Sequence, residues 1–302
     1  MFGTREEFEY GICSVCGCLQ LIKELENPGD YYNEDYYSLK GDPSLDYKGF
    51  LKGWLKKHRD YFIITGKGLL GKILEHLFPN PSVELFHFRK VIINKQSKIL
   101  DVGSGIGITP YVFRNAGFKN IKGIDPFLER DIVYKNGLTI KKEPLFDVSE
   151  NDWDMIMFNH SFEHLDNPER YLHKVNNLLK SGGICLIRIP TVSSYAWQHY
   201  KENWVQLDAP RHLFLHSIKS LEILASQTGF NFIQTAYEST DFQFIGSEQY
   251  QMGISLYTDD RSYYRGNTSL FSKGQLDAFK RETIEVNKNK LGDSIVAIFS
   301  KK

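Results

Sequence analysis

This sequence of 302 residues is short of several features that define whole classes of protein. It has four cysteines: Cys13, Cys16 and Cys18 crowd together and Cys185 lies inside a strand-like run, so no disulfide framework is expected. Cys185 reads as a small buried core residue. Long apolar runs are also missing. SIVAIF near the end and ICLI at 184–187 fall far short of the roughly 20 residues a membrane-spanning helix needs. The opening MFGTREEFEY carries acids where a secretory signal has basic residues and an apolar stretch, so a cytoplasmic location is expected. Neither charge dominates: Lys plus Arg and Asp plus Glu stand at 37 each, which predicts no bulk attraction to nucleic acid or to an anionic membrane. No internal repeat is present, since the doubled Tyr-Tyr of DYYNEDYY is too short to count.

What is present is an ordinary globular composition, 41% hydrophobic and 25% charged, enough for one large or two modest domains. From residue 98 onward, short β-rich runs alternate with helical periodicity, the pattern of a parallel sheet covered by helices. The runs are KILDV (98–102), NIKGID (120–125), LTIKKE (138–143), DMIMFN (154–159), GICLIRIP (183–190), FNFIQTAY (230–237) and DSIVAIFS (293–300), which predicts seven strands. A helix is predicted from Asn167 as cap and Pro168 in the first turn, with Leu172, Val175 and Leu179 on one face. Another runs from Ser217 as cap through Leu221, Leu224 and Ala225 to Gly229. Between the last two strands, 238–292 is rich in Tyr, Gly, Ser and Gln with a helical piece near LDAFKRETIEVNKN; so long an insertion is expected to build a lid or substrate wall.

The most informative stretch is KILDVGSGIGITPY, 98–111. A short apolar strand, a glycine turn and a helix suit a nucleotide-like cofactor, because glycine lets a ligand approach the backbone and helix N-termini present N–H groups. A dinucleotide turn reads G-x-G-x-x-G, and from Gly103 the third glycine falls at 108, where Ile108 stands. Asp101 ends the strand instead. A carboxylate there suits the ammonium of S-adenosylmethionine and repels a pyrophosphate. Asp125, ending the second strand, is placed to accept ribose hydroxyls; such an acid also occurs in NAD sites, and capping the next helix is its lesser reading.

KILDVGSGIGITP, IKGIDP, WDMIMFNHSFEHLDNPERYL and LKSGGICLIRIP, in that order over 98–190, resemble the successive signatures of class I S-adenosylmethionine-dependent methyltransferases. DAPRHLFLHS (208–217) resembles the branch containing ubiquinone-type and deoxysugar or surface-glycan methyltransferases. The resemblance implies an α/β, Rossmann-like, doubly wound seven-stranded sheet with a reversed final strand. It also implies S-adenosylmethionine as cofactor and S-adenosylhomocysteine as product. On matching positions, Gly103 and Gly105 would pass under the methionine part, Asp101 would hold its amino group, and Asp125 would hold the ribose. Asp147 would meet the adenine amino group, and Asn159 and His160 would line the methionine side. The implied organisation is a Cys-bearing, Tyr-rich segment (1–40), a basic helical segment (41–95) and a methyltransferase domain (96–302) containing the insertion.

Methyl transfer is an in-line displacement, so the protein aligns the acceptor and removes its proton where needed. His164 suits the base role because a neutral imidazole can take a proton near pH 7. Glu163 and His164 equally read as a helix cap or as partners of the glycine turn. His212 is the second candidate base. Where related sugar methyltransferases carry a Glu-His pair, this chain has Arg211-His212; Arg211 suits an anionic group on the substrate, and both residues equally read as pinning a loop. His216 is expected to precede a helix cap. Tyr195, Trp197, Tyr200 and Trp204 either wall an acceptor pocket or belong to the core.

ICSVCGCLQLI has the form of one zinc knuckle, but tetrahedral zinc needs four ligands. The related sugar methyltransferases carry an upstream Cys-x-x-Cys, so either the start is truncated or the module has lost its metal; free thiols at Cys13 and Cys16 and no metal site are expected. Lys48, Lys52, Lys56, Lys57, Arg59, Lys67 and Lys72 face the single acid Asp60 across 48–72, with Phe50, Leu51, Trp54, Leu55 and Phe62 as an apolar face. This segment reads as a solvated helix packing on the catalytic domain, or as a surface meeting a nucleotide-sugar, a lipid-linked glycan or a membrane. The predicted function is methyl transfer to a small-molecule acceptor, a sugar or glycan precursor first and a quinone-like or other aromatic hydroxyl second, with no nucleic acid partner and with homo-oligomerisation left open. The competing classes are an NAD-dependent nucleotide-sugar oxidoreductase and a catalytically silent binding protein.

Overall fold

The computed structural model describes residues 6–23, 25, 31, 41–79 and 83–302. Apart from Tyr31, the stretch DYYNEDYY lies outside the described residues.

The chain opens with a hairpin, β1 (Tyr10–Ile12) and β2 (Leu19–Leu21). Two helices follow, α1 (Phe50–Thr65) and α2 (Leu69–Leu77). The central strand β3 (Ile99–Val102) is buried at all four positions, as a strand covered on both faces must be. It leads through α3 (Ile108–Ala116) to β4 (Ile121–Ile124), then to the short pair β5 (Ile132–Val133) and β6 (Thr139–Lys141) and on to β7 (Trp153–Asn159). After α4 (Pro168–Leu178) come β8 (Leu179–Pro190), α5 (Tyr195–Tyr200), β9 (Phe214–Leu215), α6 (Ile218–Gln227) and β10 (Phe230–Tyr237). The insertion carries α7 (Phe242–Gln251) and α8 (Lys273–Lys288), and β11 (Ser294–Lys301) ends the fold.

The main sheet runs β10-β11-β8-β7-β3-β4-β6-β5. Its β3, β4, β6, β7 and β8 pair in parallel, and β11 lies antiparallel between β8 and β10. All seven expected strands are present, and the reversed last strand is β11. The eighth, β5, is two residues long and gives no periodic signal. β8 begins at Leu179 instead of Gly183, with an irregularity between Trp153 and Met155 of its neighbour. The predicted helix therefore stops at Leu178, and Leu179, expected on its apolar face, opens β8 instead.

Alternation along the strands sends side chains to two helix layers. Met155 and Met157 face Ile63 and Ile64 of α1 and Phe113 and Ala116 of α3. Ile156 and Phe158 face Leu172 and Val175 of α4 and Leu221 and Ala225 of α6. Truncating a fully buried ring such as Phe158 costs about 3–5 kcal/mol. The caps of α4 and α6 are as predicted: Asn167 Oδ1 accepts from the Arg170 N–H and Ser217 Oγ from the Ser220 N–H, both at 3.0 Å.

One expectation needs correction. The side of α1 that packs inward is Asp60, Ile63 and Ile64, whereas Phe50, Leu51 and Trp54 are exposed; the predicted apolar face is not the one the sheet buries. The aromatics after the fifth strand belong to a core, one of the two readings their sequence allowed, and Trp204 also lines a cavity. Tyr200 and Trp204 are buried with Phe244 of α7, Tyr195 and Trp197 pack against them, and Trp204 Nε1 donates to Asp293. One arrangement had no counterpart in the sequence: β2 pairs with β9, which docks the cysteine hairpin beside the segment that carries His212.

Candidate active site

The glycine turn leaves β3 with Gly103, Gly105 and Gly107 all at positive φ. A side chain at Gly103, where φ is 71°, would put its Cβ 2.5 Å from the Ser161 Cβ. Ser161 is itself fixed by donating to the Val102 carbonyl at 2.6 Å. Gly103 must therefore be glycine on two counts, conformation and space.

Asp125 closes the turn from β4. Its Oδ2 accepts from the Gly105 N–H at 2.8 Å and its Oδ1 from the Phe127 N–H at 2.9 Å. Burial raises its pKa while these two N–H groups lower it, and the balance lies above the ordinary value. A carboxylate has about four acceptor positions, so both bonds leave it capacity for hydroxyl donors. The same geometry disfavours a dinucleotide, because the amide a pyrophosphate would use already carries a carboxylate.

Asp101 is 2% exposed, and the Asn159 amide donates to its Oδ1 at 3.0 Å. Burial pushes its pKa up to about 8. A buried acid with one neutral donor is a poor place for an isolated charge and a good one for a carboxylate that meets an incoming cation.

A cavity of about 340 Å³ opens beyond the carboxyl ends of β3, β4 and β7, where strand order reverses direction in sheets of this kind. Gly103, Asp125, His160 and His164 line it, as does Arg211. Asp101, Gly105 and Asn159 are not in the lining. Asp147 is exposed at the end of a short turn (Leu145–Asp147) and is not in the lining; Glu143, Leu145 and Phe127 take that end of the cavity. Glu143 ends the run LTIKKE, so an acid at the third strand's carboxyl end was the signal available for it.

The far side of the cavity gathers titratable groups from two segments. Leu213 N–H donates to the Glu163 carbonyl at 2.9 Å, and His164 Nδ1–H donates to the Arg211 carbonyl at 2.8 Å. His212 Nδ1–H donates to the Gln206 carbonyl at 2.7 Å. Burial pushes the His212 pKa down to about 4, which keeps the ring neutral at physiological pH. Glu163 is fully buried; burial opposes its ionisation, but His160 beside it, then His164 and His212, outweigh that and hold it down to about 2. A ring that burial keeps neutral supplies little of that attraction, so we take His212 as neutral and Glu163 as an anion with an incomplete counter-charge. Arg211 binds Asp208, whose two oxygens each lie 2.5 Å from Nη2, so this guanidinium is already engaged. Asp208 escaped the sequence reading; its spacing of three from Arg211 and four from His212 was the only hint. His216 is buried immediately before the Ser217 cap, as predicted.

The family model described as a methyltransferase domain matches residues 69–235, more than half of the chain. The chain belongs to that methyltransferase family. This methyltransferase takes its methyl group from S-adenosylmethionine. The turn fits that cofactor: a space only glycine leaves open, a buried acid suited to an ammonium group and a second acid with capacity for hydroxyl donors. No curated protein matches the sequence. Among solved structures, a SAM-dependent methyltransferase from Archaeoglobus fulgidus is 17% identical over 68% of this chain and 86% of its own, with a TM-score of 0.41. Phospholethanolamine N-methyltransferase 2 of Haemonchus contortus is 16% identical over 81% of this chain and 60% of its own, with a TM-score of 0.42. Mycolic acid cyclopropane synthase CmaA1 is 16% identical over 74% and 87%, with a TM-score of 0.43. At such identities and scores these likenesses say nothing about the acceptor.

Proposed function

We propose that this methyltransferase acts on a hydroxyl-rich small molecule, a sugar or glycan precursor, and that His164 and His212 handle the acceptor's proton. The supporting observation is a second cavity of about 750 Å³ lined by Glu202, Asn203, Trp204, Asp208, Asp259 and Asp260. Carboxylates and an amide beside an aromatic ring accept hydrogen bonds from several hydroxyls, whereas a quinone offers almost none. Asp208 lines this cavity and its partner Arg211 lines the first. The insertion supplies Tyr250, Asp259 and Asp260 to it, in keeping with a substrate wall.

When bound, S-adenosylmethionine supplies a sulfonium methyl group for in-line transfer. The chain's part is binding and alignment. Gly103 and Gly105 give the backbone approach, Asp101, held by Asn159, meets the amino group, and Asp125 meets the ribose. His164 donates through Nδ1 to a carbonyl, which can only accept, so its lone pair is at Nε2, where a proton can be taken.

Calorimetry with S-adenosylhomocysteine and with NAD comes first: binding of the former alone is expected, and binding of NAD alone would sink the reading. Turnover is then measured as S-adenosylhomocysteine release with nucleotide-sugars and with catechol-type acceptors. Activity confined to the catechols would replace the proposed acceptor class by the quinone-like one.

A further inference from the structure

Glu163, His164 and His212 each bring one ligand-capable atom to within 4.8 Å of the other two. Glu163 and His164 lie on the short turn after β7 (Phe162–His164), and His212 lies just before β9. Both imidazoles donate from Nδ1 to backbone carbonyls, which fixes their lone pairs at Nε2. Orienting a ring in this way, through its second nitrogen, is how proteins prepare histidine for a metal. Glu163 is the unusual member. It is 0% exposed, and among the described residues neither of its carboxylate oxygens accepts a hydrogen bond. The nearest cation-capable atoms to its Oε1 are His160 Nδ1 at 3.4 Å and His212 Nε2 at 3.9 Å, both beyond the reach of a charge-assisted bond. A buried anion without donors is costly, and a bound cation removes that cost directly.

We propose that Glu163, His164 and His212 bind one divalent transition-metal ion, with open coordination positions toward the cofactor cavity. Two imidazole nitrogens and one carboxylate favour Mn²⁺, Fe²⁺, Co²⁺ or Zn²⁺ over Mg²⁺ and Ca²⁺, which prefer oxygen ligands throughout. Ligands about 2.1 Å from an ion stand roughly 3–3.5 Å from one another, so the trio closes by about an ångström on binding. Asp208 Oδ2 lies 3.8 Å from His212 Nε2, but both Asp208 oxygens face Arg211, so Asp208 holds the loop in place and is not a ligand. His164 lines the cavity wall, which directs the remaining positions at the space beside the cofactor. The ligand class for those positions is an acceptor oxygen, a hydroxyl alone or one with a neighbouring oxygen, and a metal-bound hydroxyl gives up its proton more readily, here to solvent, because both Nε2 lone pairs are taken by the ion. With the ion in place the two imidazoles are its ligands; they accept the proton themselves only in the metal-free protein. The metal site stands on its own geometry; only the acceptor's contact with it rests on the function proposed above.

The test uses the whole chain, stripped with a chelator and titrated with Mn²⁺ while free Mn²⁺ is followed by electron paramagnetic resonance. Mn²⁺ has little affinity for thiols, and a Cys13→Ser/Cys16→Ser variant checks that the hairpin does not contribute. One ion per chain is expected for both proteins, with affinity reduced at least about tenfold in Glu163→Gln. Co²⁺ loading should give visible absorption bands that change in His212→Gln. Absence of stoichiometric Mn²⁺ and Co²⁺ binding up to millimolar ion overturns the proposal, as does undiminished binding by Glu163→Gln. Should that variant not fold by circular dichroism, His212→Gln is judged by the same two outcomes. Binding of S-adenosylhomocysteine is scored separately on the same preparations, so loss of the cofactor reading and loss of the metal site are distinguishable.

Discussion

The two sides of the cavity treat buried carboxylates in opposite ways. On the cofactor side, Asp125 receives two backbone N–H groups, one from the glycine turn and one from the loop after β4, and Asp101 an amide from the neighbouring strand β7. On the acceptor side, Glu163 is more deeply buried than either and receives no hydrogen bond among the described residues, while Asp208 is committed to Arg211. The first side is finished by the chain itself. The second is assembled from residues 160–164 and 206–213, and the chain does not complete it with a hydrogen-bond donor to Glu163 among the described residues.

The largest effect should follow from blocking the finished side. Gly103→Val forces a β-branched residue into φ 71° and against Ser161, at about 1–3 kcal/mol for the strain and as much again for overpacking, so S-adenosylhomocysteine binding should fall by about 100-fold or more in calorimetry. Retained affinity would show that the cofactor does not pass this turn. Asp125→Ala leaves the Gly105 and Phe127 N–H groups without acceptors, at about 1–3 kcal/mol each, and should weaken the same binding about 10- to 100-fold. An unchanged dissociation constant would remove Asp125 from the site.

Asp101→Asn should weaken binding by about tenfold, the worth of one charge-assisted bond. It also has a pH signature. The folded carboxyl is raised from 3.8 to about 8, so its contribution to stability is complete below the unfolded value and is lost as pH rises through about 8. Between pH 4 and 9 the melting temperature of cofactor-free Asp101→Asn should therefore decline less than that of the natural protein. Parallel melting curves would mean that Asp101 is not the strained acid described. The smallest effect tests the join between hairpin and acceptor side. Tyr10→Phe removes the hydroxyl that donates to the His212 carbonyl at 2.9 Å, worth about 0.5–1.5 kcal/mol, and should slow turnover up to about tenfold without changing S-adenosylhomocysteine affinity. A shift in cofactor affinity instead would show that the two sides are coupled.

Most of the sheet was legible because each strand announces itself locally. A run such as KILDV, closed by the glycine turn, reads as a strand buried on both faces, and Gly103 and Asp101 follow from its end. The turn after β6 carries two acids, and only packing shows that Glu143 lines the cavity while Asp147 is exposed. β5 and β9 escaped because two residues carry no period, and the inward side of α1 escaped because Phe50, Leu51 and Trp54 are apolar yet exposed.

The sequence by itself determined the cofactor side: the order of strands and helices, the glycine turn, and the acids that end β3 and follow β4. These depend on backbone conformation and on neighbours within one βα unit, which local residues specify. Tertiary structure alone decided the acceptor side, where β9 pairs with the cysteine hairpin and carries His212 toward Glu163. Whether a buried carboxylate finds donors depends on which distant segment packs over it, and that follows from the folding of the whole core, not from any short pattern of residues.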